Sequence, residues 1–194
     1  MSKGEEKREA ILKAALHVFS EHGYDRSTVQ QIAEKANVGK GTVYGYFTSK
    51  SEIFGDVIKW GFTHVSQAFL DILHKNESPF LNKLYRIYKT NQAMFENQKE
   101  LQNIMLNDLG KVPADIKDWG ERLEHELVQV LELQVVEAIE KEEIIKIDPR
   151  VFSYSFLSSL NVTYRYEPKG EETLDDVIDE QYRMLCNAIE RKES

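Results

Sequence analysis

Residues 28–47, TVQQIAEKANVGKGTVYGYF, constrain the fold more tightly than any other part of this chain, because they read as two short helices joined by a tight turn. Val29, Ile32, Ala33 and Ala36 recur at the spacing of one buried helical face, which predicts a helix over 29–36. Thr28 stands where a hydroxyl can cap that helix while Gln31 reaches back to the Thr28 backbone, a reciprocal capping pair. Asn37 follows at the turn, and asparagine tolerates the left-handed backbone such turns require. Val38 fills the angle between the helices. The second helix opens at Gly39-Lys40-Gly41-Thr42, where small residues let backbone N–H groups approach a phosphate. Val43 and Phe47, four apart, anchor it inward, leaving Tyr46 as the expected outward aromatic. Two short helices at this angle suit the major groove of duplex DNA.

The flanks add specificity to a pattern that many helical proteins share. Upstream, Ile11, Ala15, Val18 and Phe19 form an apolar stripe on a helix expected to stop at Gly23, with Tyr24 after it. Downstream, Ser49-Lys50-Ser51-Glu52 is a second capping box at the head of a long helix.

Together the segment AALHVFSEHGYDRSTVQQIAEKANVGKGTVYGYFTSKSEIF resembles the DNA-binding domain of the TetR/AcrR family of one-component transcriptional regulators. The resemblance lies in the GY after helix one, IAEKANV of helix two, KGTVYGYF of helix three and SKSE before helix four, and covers about the first third of the chain. It implies an all-α fold in which residues 1–50 form a three-helix DNA-binding domain of helix-turn-helix type. Residues 51–194 then form a larger helical body that binds an effector and dimerises. It further implies that Thr28 and Lys50 lie on phosphates, with Gly39, Lys40, Gly41, Thr42, Tyr44 and Tyr46 on or near the DNA. Two positions depart from the family pattern. Gly39 replaces a residue that often carries a hydroxyl, and Gly45 replaces a bulkier one, at a helix-propensity cost of about 1 kcal/mol.

Charge is unevenly distributed. The whole chain of 194 residues carries a formal charge of −8, yet its first 50 residues hold eight lysines and arginines against six carboxylates, so the acidity belongs to the rest. Such asymmetry turns the N-terminal lobe toward a polyanion while the acidic body resists indiscriminate binding. Hydrophobic residues make up 41%, enough for a genuine core, and the four prolines, at 79, 113, 149 and 168, leave long stretches for helices. A single cysteine, Cys186, excludes an internal disulfide and fits a reducing compartment. No apolar run approaches the roughly 20 residues of a membrane span, so the expected location is the cytoplasm.

Beyond residue 50 the pattern predicts a long helix over 51–74, which connects the lobes. Another follows Pro79, a shorter one spans 101–109, and a long one follows Pro113. Asp148-Pro149 opens the next, expected to continue through Tyr164, with Ser155 and Ser159 spaced to admit a second helix closely. The last places Leu174, Ile178, Tyr182, Leu185 and Ile189 in one seam. These two helices are expected to pair with their copies in a homodimer that matches a palindromic operator. Aromatic and polar residues mix in the middle helices, making Tyr85, Tyr88, Gln92, Phe95, Met105, Trp119, Leu123, Phe156 and Asn161 candidates to line a ligand pocket. The family resemblance implies a small, mostly apolar effector that releases a repressor from its operator by shifting the long connecting helix.

Other classes fit less well. The histidines at 17, 22, 64, 74 and 125 form no HExxH pair and adjoin no nucleophile motif, and Glu121 with His125 reads as solvated helix charge. No Gly-rich phosphate loop or cysteine cluster points to a cofactor or metal, and neither is expected. The alternative is a helical protein-interaction module without a DNA target. It accounts for the acidic body but not for the concentration of capped short helices, Lys40, Lys50 and tyrosines near the N-terminus. Salt dependence separates the two, since phosphate contacts weaken steeply as salt rises.

Overall fold

The computed structural model describes residues 2–75, 78–97 and 99–190, apart from the side chains of Phe95, Asn97, Gln102, Met105, Leu106, Leu109 and Tyr164. The described residues form an all-α fold whose helices are α1 (Lys3–Arg26), α2 (Val29–Lys35), α3 (Lys40–Tyr44), α4 (Lys50–His74), α5 (Phe80–Asn97), α6 (Lys99–Asn107), α7 (Ala114–Glu140), α8 (Pro149–Ser159), α9 (Val162–Arg165) and α10 (Leu174–Ile189). A 3-10 turn, Leu109–Lys111, separates α6 from α7. Packing divides the chain into two compact units, residues 1–64 with 98–121, and residues 65–97 with 122–194. α4 and α7 each run through both.

In the first unit the core gathers Ile11, Ala15, Phe19, Ile32, Val43, Phe47, Ile53, Phe54 and Val57 with Ile104, Val112 and Ile116. α1 is expected to stop at Gly23, but it kinks there and resumes through Arg26. Gly23 takes φ 74°, open to glycine and costly for other residues, and this frees the Tyr24 N–H to donate to the buried Asp108 carboxylate at 3.0 Å. Two glycines of α4 answer a different demand. A Cβ on Gly55 would lie 2.8 Å from Ile116 Cγ1, and one on Gly61 would lie 2.5 Å from Leu101 Cδ2. Both are therefore places where α6 and the start of α7 close on the α4 backbone.

The second unit packs Phe69, Leu73, Leu84, Ile87, Tyr88, Leu131, Val135, Phe152, Phe156, Leu160, Ile178 and Ile189 together. Lys83 is buried here, its Nζ donating to Leu73 O at 3.0 Å and to Gln134 Oε1 at 2.6 Å, and burial pulls its pKa down. α8 starts as expected, with Asp148 accepting from the Val151 N–H at 2.9 Å and Pro149 in the first turn. It does not continue through Tyr164. Side chains take the carbonyls at its end: Gln181 Nε2 donates to Ser159 O at 2.9 Å and Asn91 Nδ2 donates to Leu160 O at 3.1 Å. The helical ladder breaks there and restarts as α9.

Two expectations about the last helices are corrected. Ser159 turns inward, its Oγ donating to Phe156 O at 2.6 Å and lying 2.7 Å from the Tyr88 hydroxyl, whereas Ser155 is exposed, so the serines do not face one neighbour. The seam of α10 packs within its own unit. Ile178 is fully buried and Ile189 nearly so, with Tyr182 and Leu185 against the same core. Apolar periodicity marks a buried face but not which helix buries it. The large apolar side chains exposed on α8 and α10, among the described residues, are instead Val151 and Met184, 65% and 64% exposed.

Candidate nucleic-acid interface and effector region

The two short helices are built from local signals. Thr28 Oγ1 accepts from the Gln31 N–H at 3.2 Å, and the Gln31 carboxamide oxygen accepts from the Thr28 N–H at 2.8 Å, so the expected capping box is present. Ala36 ends the helix as its C-cap, and Asn37 carries φ 53° at the turn. Val38 packs against the core between the helices. Gly39 is the N-cap of α3 and supplies no side-chain bond, while its carbonyl accepts from the Thr42 N–H at 2.8 Å, so the Lys40 and Gly41 amides have no side-chain acceptor from the cap.

Within α3, Val43 is completely buried and Phe47, just past its end, is 1% exposed. These anchors fix which residues face out. Lys40 and Gly41 are exposed, Thr42 is half-buried, and Tyr44 is 49% exposed. Tyr46 is not the outward aromatic; it packs against the core of the first unit. A helix of five residues carries too little periodicity to separate two tyrosines two positions apart, and the Val43–Phe47 register decides between them.

Lys50 has a structural assignment that the motif does not suggest. Its ammonium donates to Tyr24 O at 2.7 Å, Ser27 O at 2.9 Å and Asp25 O at 3.4 Å, and sits 4.3 Å from the centroid of the Tyr24 ring. All three N–H donors are directed at the end of α1, where carbonyls lose their helical partners. Beside it Lys111 pairs with Asp25 at 2.7 Å, and that hydrogen bond holds the Asp25 carboxyl below its ordinary range. At the head of α4 the Ser49 hydroxyl accepts from the Glu52 N–H at 3.1 Å, as the sequence predicts. The Glu52 carboxylate reaches one residue further back, to the Thr48 N–H and hydroxyl, each at 2.6 Å. These bonds lower the Glu52 pKa.

The effector candidates fall in both units. Tyr85, Tyr88, Gln92, Leu123, Phe156 and Asn161 belong to the second, and Trp119 to the first; the side chains of Phe95 and Met105 lie outside the described ones. Tyr88 and Phe156 stack edge to face at 5.1 Å in the core, and burial raises the Tyr88 pKa. Gln92 is buried, donating to Glu96 at 2.9 Å. Tyr85 is half-buried with its hydroxyl on Asp179 at 2.9 Å, and its ring lies 4.8 Å from that of Tyr182. Asn161 is exposed and bonds locally to Ser158 O, while Trp119 and Leu123 are half-buried on α7. The second unit also carries an open groove of about 570 Å³, lined by Pro79, Leu81, Asn82, Glu143, Tyr182 and neighbouring residues of and after α10, and none of the candidates with described side chains lines it. Cys186 lies on this groove with its thiol pKa raised, chiefly by burial, which disfavours the reactive thiolate. No group of histidine, cysteine and carboxylate side chains among the described residues is arranged to hold a metal ion. Among the same residues, no helix is long and apolar enough to cross a membrane.

Comparison with known proteins gives this geometry a family. Residues 11–57 match the family described as bacterial regulatory proteins, tetR family, and residues 77–189 match the tetracyclin repressor-like C-terminal domain. The chain is 25% identical over 128 residues to IcaR of Staphylococcus aureus, an HTH-type negative transcriptional regulator of the biofilm operon icaADBC, covering 63% of this chain and 68% of IcaR. Among solved structures it is 31% identical to a Clostridium perfringens protein provisionally described as a fatty acid metabolism regulator. The TM-score is 0.70, with 94% of this chain and all of that one covered. Its fold is also that of FadR from Bacillus subtilis, solved in complex with stearoyl-CoA, at a TM-score of 0.67 and 21% identity over 93% of this chain and 94% of FadR. With an N-terminal helix-turn-helix unit and a C-terminal match that spans more than half its length, this chain belongs to the TetR/AcrR family and is a transcriptional regulator, not an enzyme.

Proposed function

We propose that the protein is a ligand-released repressor that binds a palindromic operator as a homodimer, with α3 entering the major groove of each half-site. The observation that carries this reading is the register of α3, in which buried Val43 and Phe47 turn Lys40, Gly41 and Tyr44 to solvent beside a half-buried Thr42. Gly39 lies at the head of α3 with no side-chain cap, where the first backbone amides can meet a phosphate, and Thr28, which caps α2, is assigned to a phosphate through its side chain once its bond to Gln31 is exchanged. In this reading residues 1–50 contact DNA and residues 51–194 bind effector and dimerise. Repression follows IcaR, a negative regulator. Dimerisation is assigned to the outer faces of α8 and α10, where Val151 and Met184 are exposed.

The effector class we infer is an acyl chain carried on coenzyme A. FadR was solved with stearoyl-CoA, and the Clostridium perfringens protein is described in the context of fatty acid metabolism. The aromatic and apolar candidates of the second unit would receive the chain. Release requires the effector to bind the DNA-incompetent form more tightly, by about 1–3 kcal/mol in typical coupled systems. α4 is one covalent link, with residues 50–64 in the first unit and 65–74 in the second, and α7 is another. The test is operator binding, on a site selected from random duplexes, with and without acyl-CoAs of graded length. Release that depends on chain length supports the assignment. Binding unaffected by every acyl-CoA removes this effector class and leaves the DNA-binding reading to its own test.

A further inference from the structure

We propose that the first two turns of α1 extend the DNA-contacting surface beyond the helix-turn-helix, with the Lys3 and Lys7 side chains lying on backbone phosphates next to those met by α3. The inference rests on the reading that the first unit binds duplex DNA. Two contacts place these turns against the end of α3. A Cβ built on Gly4 would lie 4.0 Å from the Tyr46 hydroxyl oxygen, and the Arg8 guanidinium lies 5.1 Å from the centroid of the Phe47 ring. Gly4, Arg8 and Ile11 therefore form the inner stripe of α1, with Ile11 fully buried. At 100° per residue, Lys3 and Lys7 are stacked one turn apart on a flank of that stripe, and Glu5 and Glu9 fall on the opposite one.

The pairing of charges in this unit separates structural cations from available ones. Arg8 pairs with Asp56, Lys13 with Glu9, Lys111 with Asp25, Arg26 bonds to His22 O, and Lys50 caps α1. Lys3 and Lys7 are exposed and have no carboxylate partner among the described residues, the same condition as Lys40 at the head of α3. The α1 N-terminus itself is closed, since Ser2 and Glu5 form a capping box, so the recognition falls to the lysine side chains. Glu5 and Glu6 share these turns and weaken the local field, Glu5 being held by its bond from the Ser2 N–H at 2.6 Å. Lysine on a phosphate adds affinity for any sequence and does not read bases.

The experiment compares wild type with a Lys3→Gln, Lys7→Gln double variant by measuring binding to the selected operator and to random duplex across a salt series. The expected result is a slope of log affinity against log salt that is shallower by about 1.8 per bound protomer, from roughly 0.9 per phosphate. Operator and random duplex should weaken by the same factor, with thermal unfolding unchanged. A Lys99→Gln, Lys117→Gln pair removes the same charge from exposed positions of α6 and α7, and should change the slope much less. An unchanged slope in the α1 variant, or an equal change in the α6 and α7 pair, overturns this inference while wild-type binding stands. If wild type itself binds no duplex, the underlying reading fails with it.

Discussion

Lys50→Met separates two roles that one motif position can play. Methionine keeps most of the aliphatic stem and removes the ammonium, so the change isolates the bonds to Tyr24 O and Ser27 O and the contact with the Tyr24 ring. A hydrogen bond to a charged group contributes about 1.5–3 kcal/mol, and a cation over an aromatic face about 0.5–1 kcal/mol at exposed sites. Lys50 is only half-buried, so we discount the pair of bonds by half for solvent and arrive at about 2–4 kcal/mol in all. For a chain of this size each kcal/mol moves the Tm by roughly 2–4 °C, so a fall of about 4–16 °C is expected. The assay is thermal unfolding paired with the salt dependence of DNA binding. Because the three donors are occupied by carbonyls, the salt slope should stay the same. An unchanged Tm with a slope shallower by roughly 0.9 would refute the capping role and return Lys50 to a phosphate.

Further predictions concern the anchors and faces of both units. Tyr44→Ala should weaken operator binding with little effect on Tm, whereas Tyr46→Ala should lower Tm because its ring packs on the core; calorimetry and a binding isotherm on both variants check the contrast. Gly61→Ala sets a Cβ against the Leu101 methyls; overpacking of about 1–3 kcal/mol is offset by about 1 kcal/mol of helix propensity, so a net loss of no more than about 2 kcal/mol is expected from denaturant unfolding. Ile178→Glu should prevent folding of the second unit by burying an unpaired charge, while Val151→Glu with Met184→Glu should leave the fold intact and yield monomers by sedimentation. The Tm difference between wild type and Lys111→Met should be present at neutral pH and vanish in acid. The Asp25 pKa is depressed in the folded state, so its stabilisation exists above the unfolded carboxylate pKa and is lost as pH falls through the folded one.

What the sequence discloses here is local. The Thr28–Gln31 box, the Asp148 cap with Pro149, the left-handed Asn37 and the Val43–Phe47 anchor all involve residues within four positions, where spacing alone fixes geometry. The carbonyl partners of Lys50 carry no local signal because they lie 23 to 26 residues away, and only the folded first unit brings the end of α1 to its ammonium. Gly55 and Gly61 carry no signal of their own, since the side chains that require them, Ile116 and Leu101, come from other helices. The α10 seam was legible as buried but not as buried within its own unit. Lys3 and Lys7 look like ordinary surface charge until the neighbours of Gly4 and Arg8 are known.

The central claim is sequence-specific DNA binding by the first unit, and its most direct test is selection of random duplex DNA by the purified protein, followed by a salt titration of the recovered site. The account predicts a palindrome whose half-sites lie one or more helical turns apart, bound with steep salt dependence. Absence of any enriched sequence at low salt would contradict it and favour a helical protein-interaction module in which the N-terminal helices serve as scaffold.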